Sequence, residues 1–356
     1  MSILLRTMQT ASAQTGGLLV SVLSSVNNRP IENAVVTISY TGNPNSIIEQ
    51  VRTNSSGQTE LLSLSAPPLE YSMEPGIEQP YSEYTLNVTA EGFEPFDVSG
   101  TEVLPDNNSV QEIHLDPITP TGHGTNLVIP AHTLYGNYPP KIAEAEIKPL
   151  DESGEIVLSR VVIPEYIVVH DGAPTDSSAQ NHYVLYRDYI KNVASSEIYA
   201  TWPTSTITAN VLAIMSFTLN RVYTEWYRNK GFNFTITSST AFDHKWINCR
   251  NIFDTISLVV DEIFDQYLAR PDVKQPILTQ YCDGRRSTCP NWMTQWGSKS
   301  LGDQGYSPIE IIRHFYGSDM YINTAEQISG VPSSWPGYTL TIGSSGDKVR
   351  QMQEQL

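Results

Sequence analysis

Glu197 closes the run Tyr186-Arg187-Asp188-Tyr189-Ile190-Lys191-Asn192-Val193-Ala194-Ser195-Ser196-Glu197. Apolar residues at 186, 189, 190, 193 and 194 recur at helical spacing, and the run is predicted to stop near Trp202-Pro203 because proline disfavours helix at the residue before it. By charge pattern alone, Glu197 reads as a surface carboxylate at a helix end. Its neighbours Tyr189, Val193, Ile198, Tyr199 and Trp202 allow another role. A carboxyl walled by apolar groups keeps its proton to higher pH, because burial disfavours the charged form. Such an acid can hand a proton to a leaving oxygen as a bond breaks. Downstream, Gln295 and Trp296 follow a loop that contains Cys282, Gly284 and Cys289.

Other reactive residues are more isolated. His114 is a lone histidine and reads as packing or surface. His244 and Cys249 do not by themselves make a four-ligand metal site, so no metal and no cofactor is expected. Thr121-Gly122-His123-Gly124 lacks the context of a phosphate loop. With three cysteines, Cys249, Cys282 and Cys289, a disulfide framework is not expected. Free thiols are the preferred reading, with a Cys282–Cys289 bridge as the alternative.

The elements that must position these groups fall into blocks. Residues 17–117 alternate short β-branched runs with Gly, Asn and Pro turns, which indicates an antiparallel β-sandwich. Residues 118–160 carry Pro120, Pro130, Pro139, Pro140 and Pro149 and read as a Pro-rich connector, a place where a protease could cut. A strand-like run covers 161–170. Helical patterns follow at about 206–228 and, amphipathically, at 254–270, where Asp261, Glu262 and Asp265 read as a solvated face. The expected fold class is therefore α+β and multidomain.

Two sets of motifs carry resemblances. In the N-terminal third, Arg29-Pro30-Ile31, Thr53-Asn54-Ser55-Ser56-Gly57 and Tyr84-Thr85-Leu86-Asn87-Val88-Thr89-Ala90-Glu91-Gly92-Phe93 resemble the carboxypeptidase regulatory-like or transthyretin-like fold. Farther on, Tyr189-Ile190 through Glu197 to Trp202-Pro203, then Met293-Thr294-Gln295-Trp296-Gly297-Ser298, then Gly305-Tyr306 through His314-Phe315-Tyr316 match in order the stage II sporulation protein D family. The resemblance spans residues 161–325 and implies a peptidoglycan-cleaving domain in which Glu197 is catalytic. It implies a lytic transglycosylase, in which one carboxyl gives its proton to the glycosidic oxygen and then takes the proton of the sugar's C6 hydroxyl. Gln295, Trp296, Tyr199 and Trp202 become candidates for contact with the sugars, since aromatic rings stack on their apolar faces. The chain departs from the family at Met215, where an arginine is common. It also departs at Ser287–Trp292, where a histidine is common. Arg221 lies nearly two helical turns beyond Met215.

After a linker at 326–338, residues 339–356 resemble the truncated start of a peptidoglycan-binding domain. The whole order, with a tail at 1–16, resembles the spore cortex-lytic enzymes of clostridia. That resemblance implies a pro-enzyme cut near Val161 by a subtilisin-like germination protease. It also implies deposition into the spore from the mother cell and a substrate of cortex peptidoglycan with muramic-δ-lactam. The alternatives are a non-catalytic wall-binding protein or amidase enhancer, and an N-acetylmuramoyl-L-alanine amidase. Composition narrows the partners: 21 Lys+Arg against 38 Asp+Glu give a formal charge of −17, which argues against nucleic acid. The apolar run at Ile3-Leu4-Leu5 is too short for a signal peptide or membrane span.

Overall fold

The computed structural model describes residues 14–148, 158 and 160–330. The tail before residue 14 and the wall-binding start expected at 339–356 lie outside the described residues, as does the linker beyond 330. The chain is mixed α+β and forms two compact units. Unit 1 holds the residues up to Ala131 together with Cys249–Asp254, and unit 2 holds His132–Asn248 and the residues from Thr255 onward. No helix among the described residues is long and apolar enough to cross a membrane.

Unit 1 is built from two packed sheets. One has the order Ile252–Phe253, Asn108–Leu115, Gln14–Ser24, Leu62–Ala66. The other has the order Asn43–Arg52, Val35–Tyr40, Ser82–Thr89, Phe96–Val103, Thr125–Val128. Alternate residues point inward, so Leu18, Val20 and Val22 from one sheet and Tyr84, Leu86 and Val88 from the other are buried. The pairing is mixed rather than purely antiparallel. Gln14–Ser24 runs parallel to Asn108–Leu115, and Phe96–Val103 runs parallel to Thr125–Val128. Long connections through the opposite sheet permit this, where a tight hairpin would force antiparallel pairing. A one-turn helix, α1 (Glu70–Met73), sits between strands.

Two further departures from the sequence reading fall in unit 1. The Pro-rich stretch contributes the strand Thr125–Val128, so it is not a connector there. Ile252 and Phe253 pair with Val110 and Ser109 and add an edge strand from far along the chain. Arg250 anchors that strand: its Nη2 donates to Glu102 at 2.8 Å, with both side chains buried. Burial pushes the Glu102 carboxyl up to about 7, against the pull of Arg250.

Unit 2 is organised around α3 (Thr204–Tyr223), which is buried on all sides. Its residues are mostly apolar or small around the whole circumference, as a central helix requires, and the buried Asn210, Asn220 and Arg221 are hydrogen-bonded or ion-paired. Against it pack α2 (Tyr186–Glu197), α5 (Gln295–Asp303), α6 (Pro308–Tyr316) and the strand Gln266–Ala269. A Cβ at Gly302 would sit 1.9 Å from Thr206 Oγ1, so glycine is what lets α5 approach α3 this closely. A capping box of Ser307 and Glu310 opens α6. The helix expected at 254–270 is shorter: α4 spans Asp254–Ile263, and Gln266–Ala269 then pairs with Tyr321–Thr324. Glu326–Ile328, read as linker, runs parallel to Val162–Pro164.

Candidate active site

Glu197 is the last residue of α2. A helix leaves its final carbonyls without partners, and here the Glu197 carbonyl accepts a 2.7 Å hydrogen bond from Gln295 Nε2, at the first turn of α5. Five residues earlier on α2, the Asn192 amide pairs in both directions with Ile247, at 2.7 and 3.0 Å. That pairing aligns the neighbouring backbone, and the Lys245 N–H donates to Glu197 Oε1 at 2.6 Å. Glu197 is thus held once at its backbone carbonyl and once at its carboxyl, and it is only 4% exposed.

Burial is the largest influence on this carboxyl and raises its pKa above the ordinary carboxylate range. The Lys141 ammonium, the Tyr281 hydroxyl and Lys245 pull the other way. Tyr281 comes near enough to act on the carboxyl without forming a well-shaped hydrogen bond. Lys141 lies over the Tyr281 ring, 4.9 Å from its centroid, and donates to the Asp243 carbonyl. Burial thus favours the protonated carboxyl, while Lys141, Tyr281 and Lys245 favour its ionised form; burial also lowers the pKa of Lys141 itself.

Glu197 opens into a cleft. One wall is the stretch that carries Thr133, Gly136, Tyr138, Pro139 and Lys141. The facing wall is the loop from Tyr281 to Ser287, with Gln295 beside it. Arg286 joins the walls by donating to the carbonyls of Leu134 and Gly136. Asp283 also faces the cleft, but its carboxylate accepts the backbone N–H groups of Arg285, Arg286 and Ser287, at 3.2, 3.0 and 3.0 Å. It is committed to shaping the loop. Gly284 adopts φ +77°, and a Cβ there would meet Thr294 at 2.5 Å.

Cys282 and Cys289 are not the free thiols expected. Tyr281–Cys282 pairs parallel with Met293–Thr294, which brings the loop ends together, and Cys282 and Cys289 form a disulfide with Cα atoms 6.0 Å apart. Cys249 takes no part in it and belongs to unit 1.

The remaining candidates divide. Glu197 and Gln295 meet at the cleft. Tyr199 and Trp202, expected to touch sugar, are only 2% and 3% exposed. Tyr199 stacks on His132 at 4.5 Å, and Trp202 packs against Trp296 at 5.0 Å. Their ring faces are spent on protein, so neither can stack on a ligand. Trp296 is half-buried in the same cluster and does not line the cleft.

Arg221 does not reach the cleft. It is buried and ion-paired to Asp243 at 2.7 Å and to Glu144 at 2.6 Å. His244 is buried, and its low dielectric surroundings keep it neutral. Its Nδ1 meets the Tyr189 hydroxyl at 3.2 Å. No cluster of three or more His, Cys, Asp or Glu suited to a metal occurs among the described residues. Sequence reasoning missed Lys141, Tyr281 and Lys245, which lie in stretches without helical or strand periodicity. The proline-flanked lysine in Pro139-Pro140-Lys141 offered no local signal.

No family model matches the chain, and no curated protein matches it. Among solved structures it is similar to the Bacillus anthracis TIE protein, at 17% identity over 30% of this chain and 17% of that one, with a TM-score of 0.21. It is similar to a minor pilin of Streptococcus agalactiae, at 14% identity over 31% and 48% of the two chains, with a TM-score of 0.22. It is also similar to Klebsiella pneumoniae 5-hydroxyisourate hydrolase, at 19% identity over 29% and 92%, with a TM-score of 0.19. The chain covers less than two thirds of the first two. Likenesses at these scores carry no argument about fold or function.

Proposed function

We propose that unit 2 cuts the glycan strands of peptidoglycan as a lytic transglycosylase, with Glu197 as its acid and then its base. The observation that carries the reading is a single buried carboxyl with a raised pKa, opening into a cleft where Asp283 is already committed to backbone donors. Hydrolysis by paired carboxylates needs two that can act on the sugar or on water. Intramolecular closure needs one.

In the proposed step, the Glu197 hydroxyl gives its proton to the glycosidic oxygen and the bond from that oxygen to C1 breaks. The departing sugar leaves as an alcohol. The C6 hydroxyl oxygen of the muramic residue then bonds to C1, and its proton returns to the Glu197 carboxylate, so a 1,6-anhydro ring forms and no water enters. Between the two transfers the carboxylate is steadied by Lys141, Tyr281 and the Lys245 N–H.

The motif order read in the sequence extends the proposal to a spore cortex-lytic pro-enzyme, with cortex peptidoglycan as substrate and a subtilisin-like protease as activator. Digestion of purified cortex followed by mass analysis of the muropeptides tests it. Anhydro ends are expected. Free stem peptides would replace this reading with an amidase, and intact glycan with a wall-binding protein or amidase enhancer.

A further inference from the structure

Residues 132–148 were read as a connector, yet they are built into unit 2. Thr133 donates through its backbone N–H and its hydroxyl to the Ser196 carbonyl, at 3.1 and 2.8 Å. From Ile142 to Lys148 the strip forms no regular strand, but side-chain amides pair with its backbone as a neighbouring strand would. Gln280 donates to the Ile142 carbonyl at 2.7 Å and accepts the Glu144 N–H at 2.8 Å. Gln275 does the same at Lys148, at 3.0 and 3.1 Å. Glu144 takes both terminal nitrogens of the buried Arg221, at 2.9 and 2.6 Å. Lys148 lies 4.2 Å from the centre of the Trp226 ring.

Withdrawing the strip would leave the Gln280 amide and the Gln275 Nε2 without these partners and strip Arg221 of one carboxylate, a costly state for groups removed from water. On the other side, Cys249–Asp254 belongs to unit 1 although it comes from the middle of unit 2's sequence.

We infer that the strip is a permanent wall of the cleft, so that a chain cut between Lys148 and Leu158 stays a two-piece assembly with Lys141 still beside Glu197. A cut there, or the one expected just beyond it near Val161, therefore does not shed the N-terminal piece. The claim about assembly is independent of the proposed chemistry; only the role of Lys141 in glycan cleavage rests on it.

A recognition sequence for a site-specific protease placed between Glu152 and Ser153 of the full chain tests the inference, with a second placement between Ile156 and Val157 in case the first disturbs folding. After complete cutting, native size exclusion and native mass spectrometry are expected to show one species containing both pieces, which separate only in denaturant. An N-terminal piece that elutes alone under native conditions overturns the inference. Activity gives a second reading. In the cut chain, Lys141→Met should move the basic limb of glycan cleavage to higher pH. A cut chain whose basic limb Lys141→Met leaves unmoved would mean that the strip has left, and would overturn the inference too. Should no form cleave glycan, the proposed function fails while elution still decides the assembly.

Discussion

At the scale of single residues, the cleft turns on how one carboxyl is held. Glu197→Gln removes the transferable proton while keeping the shape, and loss of anhydro products by about 10²–10⁴-fold is expected in muropeptide assays. The same change should stabilise the fold. A carboxyl whose pKa is raised by folding binds its proton more tightly in the native state. Stability is therefore lost as pH rises from the unfolded carboxylate range through the folded value. Glu197→Gln should accordingly melt higher than the native chain at neutral pH, with the gap closing on acidification; an equal gap at all pH values would contradict this account. Lys141→Met removes the cation that pulls Glu197 down, so the basic limb of kcat/KM should move upward. Glu197 and Gln295 were readable because each sits in a motif with local periodicity around it. Lys141 and Tyr281 were not, because they are 140 positions apart and only the folded backbone brings the lysine over the tyrosine ring.

At the scale of elements, the loop from Cys282 to Cys289 shapes one wall of the cleft. Its disulfide closes a separation of seven residues, and loop-closure entropy for so short a ring suggests about 2 kcal/mol. Reduction, or Cys282→Ser with Cys289→Ser, should lower unit 2 stability by about that much in denaturant titrations and raise KM as the wall loosens. The strip at 142–148 gives a companion test. Gln280→Ala strands the Ile142 carbonyl and the Glu144 N–H, and a cost of about 1–3 kcal/mol is expected by thermal or urea denaturation. This strip shows why part of the fold could not be read in advance. Proline density and missing periodicity describe an extended chain correctly, but they say nothing about glutamine amides elsewhere that pair with it. The overrun of α4 has a similar origin. Phe264 and Tyr267 continue an apolar pattern, whereas pairing with Tyr321–Thr324 turns the backbone to strand at Gln266.

At the scale of the whole molecule, the chain passes from unit 1 to unit 2, back at Cys249 and out again after Asp254. The β-sandwich and the ordered motifs were legible from turns and alternation. This exchange was not, because Ile252 and Phe253 are two residues that pair only with a sheet edge formed elsewhere. Arg250→Met leaves the buried Glu102 without its cation, and breaking such a pair costs about 3–5 kcal/mol. Unit 1 should lose up to that much in urea titrations above the folded Glu102 pKa of about 7, where the carboxyl is ionised. Below the folded pKa of about 7, where Glu102 is protonated, the loss should shrink. The exchange also bears on synthesis. Arg250 lies 148 residues beyond Glu102, so the sandwich leaves the ribosome with one sheet edge uncovered and waits for much of unit 2 before closing it. Exposed edges invite pairing with other chains. The part of the protein translated first therefore stays open until Phe253 has been made, and it needs protection over that whole interval.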